Sequence, residues 1–427
     1  MHNANLEDGP ATAPRGGWRA LVFLIALHWL WPGMAGAAAV NVLEWHNDNF
    51  RTGQNTNETT LAPATVNTNG FGLLFSYPVD GKVYGEPLYV NSLPIPGLGA
   101  RNVVFVATEH DSVYAFDADG GGLIWQASLG TSAVTPNNDF GNRYGPYHDI
   151  DPEVGITCTP VIDLASGLIY VDAFTHEGSA YFHRVHALNI TNGMEAPFSP
   201  VTVTAAVAGN GVDSVGGVVT FNPMQEIQRP ALTLAGGKLY AAYAGYADTD
   251  PYHGWVIGFN ATNLAPLANY VFNTSPNSTI AAYGANAGEA GIWMSGSGLG
   301  VDAQTNLFFV VGNGSYNANV AGGTEYGESA VRLATTNGLT VKDFFTPYNQ
   351  ATLSANDTDF GSGGPLLLPD SAGSLAHPHL MVACGKQGTI YVLDRDNLGH
   401  FNAGGDTQIV QSLPNSIGGT WSSPAYF

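Results

Sequence analysis

The stretch Val113–Gly130, VYAFDADGGGLIWQASLG, predicts two antiparallel strands joined by a tight turn. An alternating run ends at Phe116, a glycine triplet follows, and apolar residues resume at Leu123. Glycine supplies the backbone conformations that such a turn requires. Trp125 lies just after the turn, where a lone hairpin offers nothing large for an indole to pack against. We therefore expect Trp125 to contact a neighbouring unit.

The pattern recurs four more times along the chain. Its conserved apolar residue is spaced by 72, 71, 74 and 60 residues, at Phe116, Leu188, Phe259, Leu333 and Leu393. Each copy also has a leading apolar run that follows Pro87, Pro160, Pro230, Gly298 and Pro365 in turn. A further β-rich run lies between the leading run and the conserved residue. The sequence of each unit therefore predicts four short strands.

Four antiparallel strands repeated in this way are typical of a β-propeller blade, which must stack on its neighbours to bury both faces. We predict an all-β propeller with five complete four-stranded blades. Residues 70–81 resemble a lone outer strand, and a sixth leading strand begins at Pro424. These features predict partial first and last blades and an incomplete ring. The expected divisions are a signal peptide at 1–37, a polar N-terminal strap at 38–69 and a propeller at 70–427.

The composition of the 427-residue chain agrees with a fold rich in turns. It contains 54 glycines and 25 prolines, and 44% of its residues are hydrophobic. Only 11% are charged, and the formal net charge is −21. An acidic surface repels phosphate backbones, so we expect no nucleic-acid partner.

The N-terminus has the features of a secretory signal peptide. Arg15 and Arg19 precede the apolar run Ala20–Trp31, and the small residues Ala35 and Ala37 follow. The run is shorter than the roughly 20 residues that span a bilayer. We expect cleavage after Ala37, a secreted or periplasmic location, and no membrane attachment after cleavage. An uncleaved anchor is the alternative.

The two cysteines, Cys158 and Cys384, are far apart in the sequence. They could pair only if the fold brought them together, and two buried free thiols are the favoured interpretation. The sequence contains no CxxC or CxxCH motif, so we expect no c-type haem and no cysteine-based zinc site.

The repeat VYAFDADGGGLIW and its spacing resemble the pyrroloquinoline quinone (PQQ) repeat propellers, which include the quinoprotein alcohol dehydrogenases. The resemblance covers roughly residues 70–427. It implies the propeller fold, but many propellers of this kind are non-catalytic scaffolds. The dehydrogenases stack PQQ on a tryptophan and bind it together with calcium.

The resemblance also implies positions for a cofactor site. GIWMSGSG implies Trp293 as the stacking residue, and VVGNGSYN implies Asn313 as a calcium ligand. NDTDFGSG implies Asp359 as both catalytic base and calcium ligand, and ACGKQG implies Lys386 as a contact to the quinone.

A glutamate calcium ligand of the dehydrogenases has no match in this chain. Asp248 and Asp250 of YADTDPYHG lie in its place and are the remaining predicted metal ligands. The chain also lacks the adjacent cysteine pair of the dehydrogenases, and Thr358 stands where they have a tryptophan before the catalytic aspartate. These departures put an occupied cofactor site in doubt.

The chemistry that this set could perform is well defined. Calcium prefers oxygen ligands and can polarise a quinone carbonyl. Asp359 would accept the hydroxyl proton of a substrate as general base. Lys386 would stabilise negative charge on the quinone oxygens, and Trp293 would supply an apolar stacking surface.

Each of these residues also has an ordinary structural interpretation. Trp293 could pack between blades, and Asn313 is followed by glycine as in a common tight turn. Asp357 and Asp359 could cap a loop, and Lys386 could lie in a solvated turn. It is their order along the chain that supports a shared pocket.

Two functions therefore stay open. The first is an exported binding or scaffold propeller with a degenerate quinone pocket, whose ligand is a small molecule or a protein or polysaccharide surface. The second is a dehydrogenase that depends on PQQ and calcium and acts on alcohols or sugars. The sequence favours the first, because the cysteine pair and the glutamate ligand are missing and the ring is unfinished. It leaves the oligomeric state open.

Overall fold

A computed structural model of the chain describes residues 40–134, 147–248, 251–278 and 289–427. The predicted signal peptide at 1–37 lies outside these residues. Strands make up nearly all of the regular structure, and the single α-helix, α1 (Gln350–Ala355), has fewer than two turns among the described residues.

The first two four-stranded sheets lie in the N-terminal half of the described chain. Blade 1 consists of β1 (Leu88–Ile95), β2 (Gly99–Ala107), β3 (Ser112–Asp117) and β4 (Gly122–Ser128). A short pair follows, β5 (Ala133–Val134) with β6 (Glu153–Val154). Blade 2 consists of β7 (Val161–Asp163), β8 (Leu168–Glu177), β9 (Ala180–Asn189) and β10 (Val201–Thr202). The hairpin β11 (Ala206–Ala208) and β12 (Val218–Thr220) leads to the next blade.

Three further sheets complete the set. Blade 3 consists of β14 (Thr233–Ala235), β15 (Lys238–Gly245), β16 (Trp255–Asn260) and β17 (Pro266–Asn273), preceded by β13 (Glu226–Ile227), which pairs with β15. Blade 4 consists of β18 (Gly300–Val301), β19 (Leu307–Val310), β20 (Ala330–Ala334) and β21 (Thr340–Thr346). The last strands are β22 (Leu366–Leu367), β23 (Leu380–Cys384), β24 (Ile390–Asp394), β25 (His400–Phe401) and β26 (Gln411–Leu413). Of these, β25 pairs with β21, and the other four form blade 5.

The five predicted blades are confirmed, and so is the internal repeat. The conserved apolar residue of each unit lies on the third strand of its blade and is buried. In every blade it also pairs with an apolar residue of the second strand, in the pairs Phe116–Val104, Leu188–Ile169, Phe259–Leu239, Leu333–Leu307 and Leu393–Met381. The same apolar position thus specifies the strand register in each of the five blades. A slip of the strand by one residue would turn this apolar side chain to the opposite face of the sheet.

Trp125 packs between two blades, as the hairpin sequence predicts. It lies on β4 of blade 1, and its indole Nε1 donates a 2.9 Å hydrogen bond to the Ile190 carbonyl, at the end of blade 2. Its ring is buried, with Phe105 on its own blade and Gly193 on the other side. The indole therefore joins the blades through both apolar contact and a hydrogen bond.

The N-terminal segment connects the blades in a second way. Residues 42–51 contact the first strand of every blade. The contacts are backbone bonds of Val42 with Tyr89, Leu43 with Ile162, Asn49 with Val301 and Phe50 with Leu367, and a side-chain bond from Arg51 to Thr233. A single N-terminal segment thus contacts all five sheets, in addition to the packing and hydrogen bonds between neighbouring blades.

Arg51 is the most deeply buried part of this segment, with no exposed surface. Its guanidinium forms an ion pair with Glu44 at 2.7 Å and donates to the Leu299 carbonyl at 2.8 Å and to Thr233 Oγ1 at 2.9 Å. It also donates to the carbonyls of Trp45 and Asp48. A buried charge of this kind is tolerated because its donors are bonded on every side.

Two predicted edge strands are absent from the described residues. Residues 70–81 form no strand, and Leu73 and Leu74 are almost fully exposed. The segment is held on blade 1 by side chains, since Tyr77 stacks on Phe116 with 4.8 Å between ring centroids. Residues 422–427 also form no strand, because the Tyr426 amide bonds to the strap at the Thr52 carbonyl instead.

Both cysteines are free and buried, as expected. In the described ranges of the chain, no helix is long and apolar enough to cross a membrane.

We predict that Arg51→Met destabilises the fold by about 3 kcal/mol or more, because Glu44, Thr233 and three carbonyls lose a buried partner. Thermal unfolding measures the effect. Arg101→Met is the matched control: the side chain of Arg101 is 40% exposed and its one ion pair, with Asp117, is 3.3 Å long. The control should change stability by less than about 1 kcal/mol. Equal effects of the two changes would show that the buried contacts of Arg51 do not hold the blades together.

Trp125→Phe should lower the free energy of unfolding by about 1–3 kcal/mol, because the Ile190 carbonyl loses its donor inside the interface between the blades. Chemical denaturation measures the change. Trp421→Phe serves as control, since Trp421 is 57% exposed, and it should have almost no effect. A loss no larger than that of the control would contradict the docking role of Trp125.

Candidate functional site

A cavity of about 460 Å³ is lined by five of the six residues named for a cofactor site. These five are Asp248, Trp293, Asn313, Asp359 and Lys386. The sixth, Asp250, lies outside the described residues. The remaining wall includes Tyr147, Arg229, Tyr252 and Asp357. Residues separated by as much as 138 positions in the chain therefore surround one space.

The repeat explains why these residues meet. Asp248, Asn313 and Lys386 each follow the second strand of a blade by two or three residues. Trp293 and Asp359 each precede the first strand of a blade by seven residues. The first and second strands of a blade are antiparallel, so the beginning of one and the end of the other lie at the same end of the sheet. Blades 3, 4 and 5 thus present all five residues at one end of the propeller.

Two glycines allow the backbones to approach closely enough to form the site. A Cβ on Gly361 would lie 2.3 Å from the backbone at Val311 and Gly312, just before Asn313. A Cβ on Gly385 would lie 2.4 Å from the Asp359 carbonyl. Glycine is therefore required where the turn that carries Asp359 packs between its neighbours.

Lys386 is the charged centre of the site. Its Nζ lies 2.5 Å from Asp357 Oδ1 and 3.2 Å from Asp359 Oδ2. It also lies 5.4 Å from the centre of the Trp293 ring, in a cation–π arrangement. The neighbouring acids raise the pKa of Lys386 although burial lowers it, so the side chain is charged at neutral pH.

Asp359 is a buried carboxylate, with 4% of its side chain exposed. Burial raises its pKa from the ordinary 3.8 to about 6, with Lys386 opposing and Asp357 and Asp248 adding to the rise. Nearby Glu328 is fully buried, and its Oε2 accepts a 2.6 Å bond from the Phe360 amide. Burial and the charge of Asp359 raise the pKa of Glu328 as well. The site therefore concentrates carboxylates in surroundings that oppose their ionisation.

Asp248 is another acid of the cavity wall. The Tyr252 hydroxyl donates a 2.7 Å hydrogen bond to Asp248 Oδ1. Burial, and then the charge of Asp248, raise the pKa of Tyr252 well above its usual value. Tyr252 is thus a neutral donor that fixes the orientation of the Asp248 carboxylate.

Two polar atoms of the predicted ligands point to a missing partner. Asp359 Oδ1 and Asn313 Nδ2 are buried and have no hydrogen bond within the described part of the chain. Buried polar groups are normally paired, so an added ligand would satisfy both positions. An oxygen of Asp359 fits a cation, and the Asn313 amide can present either its NH₂ group or, after rotation, its oxygen.

The protein's own acids do not form a closed metal cage. Across the described ranges, no three His, Cys, Asp or Glu residues are grouped to hold a metal ion. Asp359, Asn313 and Asp248 supply two carboxylates and an amide, which is fewer than the six to eight oxygens that calcium takes. These residues fit a cation only if a bound ligand or water supplies the rest of the coordination.

The repeat pattern does not single out three residues of the cavity wall, Tyr147, Arg229 and Tyr252. Arg229 has no hydrogen bond or ion pair with any described residue, and it faces the cavity. Basic residues are few in this acidic chain, and Arg229 is one of them. It stands directly before the leading run of blade 3. That position is the one signal in the sequence that could have indicated it.

No family model matches the chain, and no curated protein matches it. Solved structures do match. A quinohemoprotein alcohol dehydrogenase from Pseudomonas putida HK5 is 17% identical, with a TM-score of 0.56, and the match covers 88% of this chain and 48% of that one. A europium-containing methanol dehydrogenase is 14% identical, with a TM-score of 0.56, and covers 88% and 58%.

These similarities define the class first: the protein is an all-β propeller. More particularly, its fold is like that of quinoprotein alcohol and methanol dehydrogenases. At such low identity the likeness concerns the fold alone. The chain spans about half the length of the solved structures that it matches.

Asp359→Asn should stabilise the unliganded protein at pH 7.5 and have little effect at pH 4. A folded-state pKa of about 6 means that the folded protein binds this proton more tightly than the unfolded chain. The ionised form therefore carries a penalty of about 3 kcal/mol above pH 6, which disappears below the ordinary pKa. Melting temperatures at the two pH values measure it. Asp149→Asn, at an exposed acid of the same cavity, should leave both melting temperatures unchanged. A lower melting temperature of Asp359→Asn at pH 7.5 would refute the prediction.

Proposed function

We propose that the cavity binds a planar, anionic quinone of the PQQ class together with one metal cation, and that the protein oxidises small alcohols or sugars. One observation carries the proposal: Trp293, Asn313 and Asp359 line the same cavity as Lys386 and Asp248. Ordinary structural roles would not require an aromatic face, a cation and a buried carboxylate oxygen without a partner among the described residues, Asp359 Oδ1, to meet in one place.

The walls suit a planar anion. The ring of Trp293 offers a flat apolar surface, as expected for stacking. Lys386 and Arg229 are cations at the cavity wall that could pair with carboxylates of the quinone. Asp359, Asn313 and Asp248 would hold the metal, with the quinone oxygens completing its coordination.

The residues of this chain would then divide the chemical work. When bound, the quinone would accept two electrons from the substrate, and the metal would polarise its carbonyl. Asp359 would take the hydroxyl proton of the substrate, since with a pKa of about 6 it is ionised at neutral pH. Burial of Asp359 keeps competing water away from this proton transfer. Tyr252 would hold Asp248 in position through their 2.7 Å hydrogen bond.

A second candidate function is a binding or scaffold propeller that holds a ligand without turnover. It is favoured by the absence of an adjacent cysteine pair and by Thr358 in the place of a tryptophan. The ligand would be a small anion in the cavity, or a protein or polysaccharide surface. This candidate retains the pocket but not the reaction.

Titration with PQQ in the presence of calcium chloride tests the proposal, with a europium salt as the alternative metal. We expect micromolar binding, and we expect Trp293→Ala to weaken it by about tenfold or more through loss of the stacking face. Arg229→Gln should weaken it further by removing a cation from the cavity wall. Trp421→Ala is the matched control, because Trp421 is exposed and lies outside the cavity lining.

Turnover separates the two candidates. The loaded protein is mixed with an artificial electron acceptor and a panel of alcohols and aldoses. Reduction of the acceptor that disappears in Asp359→Asn supports the dehydrogenase. Tight PQQ binding without any reduction supports the binding propeller. If PQQ does not bind at all, even at high micromolar concentration, the quinone site is refuted.

A further inference from the structure

Lys386 stands where two different ligands are expected. Its ammonium group lies between the carboxylates of Asp357 and Asp359, at 2.5 and 3.2 Å. The same ammonium is 5.4 Å from the centre of the Trp293 ring, over the aromatic face. The lysine thus neutralises a proposed metal ligand while covering the proposed stacking surface.

A metal cation could not join this arrangement without a penalty. Two positive charges at about 4 Å repel strongly in a partly buried site, where the effective dielectric constant is well below that of water. The side chain of Lys386 is 17% exposed, and that of Asp359 is 4% exposed, so solvent screens the repulsion poorly. Metal binding at Asp359 therefore requires the ammonium to move.

The local structure lets the side chain move while the backbone stays in place. The Lys386 amide donates a 2.9 Å bond to the Asp359 carbonyl, and Gly388 closes the turn by bonding to Gly385 at 3.0 Å. The turn is thus fixed against the segment that carries Asp359. The four-carbon stem of lysine, in contrast, has several rotatable bonds and a compact charge at its end.

We propose that Lys386 is an internal counter-ion that occupies the metal position when no metal is bound and is transferred to the anionic quinone when a metal binds. The inference rests on the proposed quinone and metal site. It makes the two ligands cooperative: the metal releases the ammonium from Asp359, and the ammonium then pairs with the quinone. By linkage, each ligand raises the affinity of the site for the other by the same factor.

Arg229 does not share this role. It forms no ion pair with a carboxylate of any described residue, so among these residues an anion that binds to it breaks no ion pair. Removing Arg229 should therefore weaken quinone binding without changing metal binding in the absence of quinone. This separates a simple anion contact from the exchange at Lys386.

Calcium binding, measured by isothermal titration calorimetry with and without saturating PQQ, tests the inference. In the wild-type protein we expect PQQ to tighten calcium binding by about tenfold or more. In Lys386→Gln, calcium alone should bind about tenfold more tightly than to the wild type, and PQQ should tighten it by a smaller factor than in the wild type, because only the coupling through the quinone oxygens then remains. Lys342→Gln is the matched control, because it makes the same charge change on an exposed side chain, and it should behave like the wild type.

The outcomes distinguish this inference from the function on which it rests. If calcium and PQQ both bind to the wild type but with independent affinities, the exchange is refuted and the quinone site stands. The same conclusion follows if Lys386→Gln binds calcium more weakly than the wild type. If neither ligand binds to any variant, the proposed function is refuted and the exchange with it.

Discussion

The buried guanidinium of Arg51 is the contact on which the arrangement of blades depends. Each blade has its own hydrogen-bonded sheet, and neighbouring blades meet through apolar clusters that have no direction of their own. Arg51 adds directional bonds, to Glu44 in its own segment, to Thr233 in blade 3 and to the carbonyl of Leu299 before blade 4. Because a buried charge is stable only while its donors are bonded, these contacts favour the arrangement in which blades 3 and 4 lie against the N-terminal segment.

That arrangement also determines the cavity. Asp248, Trp293 and Asp359 lie on loops of three different blades, so their distances follow from how the blades are rotated against one another. Gly361 and Gly385, which have no Cβ, then allow the backbones of neighbouring loops to come into close contact. The same close packing buries Asp359 and raises its pKa, which costs stability and supplies a proton acceptor near neutral pH. The burial that gives the site its proton acceptor therefore lowers the stability of the folded protein.

The charges within the cavity explain why its function is not evident from its residue types. Lys386 pairs with two acids that would otherwise repel, and single polar atoms on Asp359 and Asn313 have no partner among the described residues. A site of this kind can be a pocket that binds its ligand, or a stable pocket that no longer binds one. The difference lies in whether ligands can exchange for the lysine, which is a matter of relative free energies rather than of residue identity.

The sequence by itself determined the blades, since a repeated apolar position on the third strand specifies the register of every sheet. It also determined the docking of Trp125, because a large indole beside a turn must find a partner elsewhere. It did not reveal Arg229 or the position of Lys386 between two acids, because those depend on loops from different blades. The predicted edge strand at 70–81 was wrong, since these residues form no strand and contact blade 1 through the side chain of Tyr77 on Phe116. Periodicity is local and can be read along the chain, whereas convergence of loops is decided only when the blades pack.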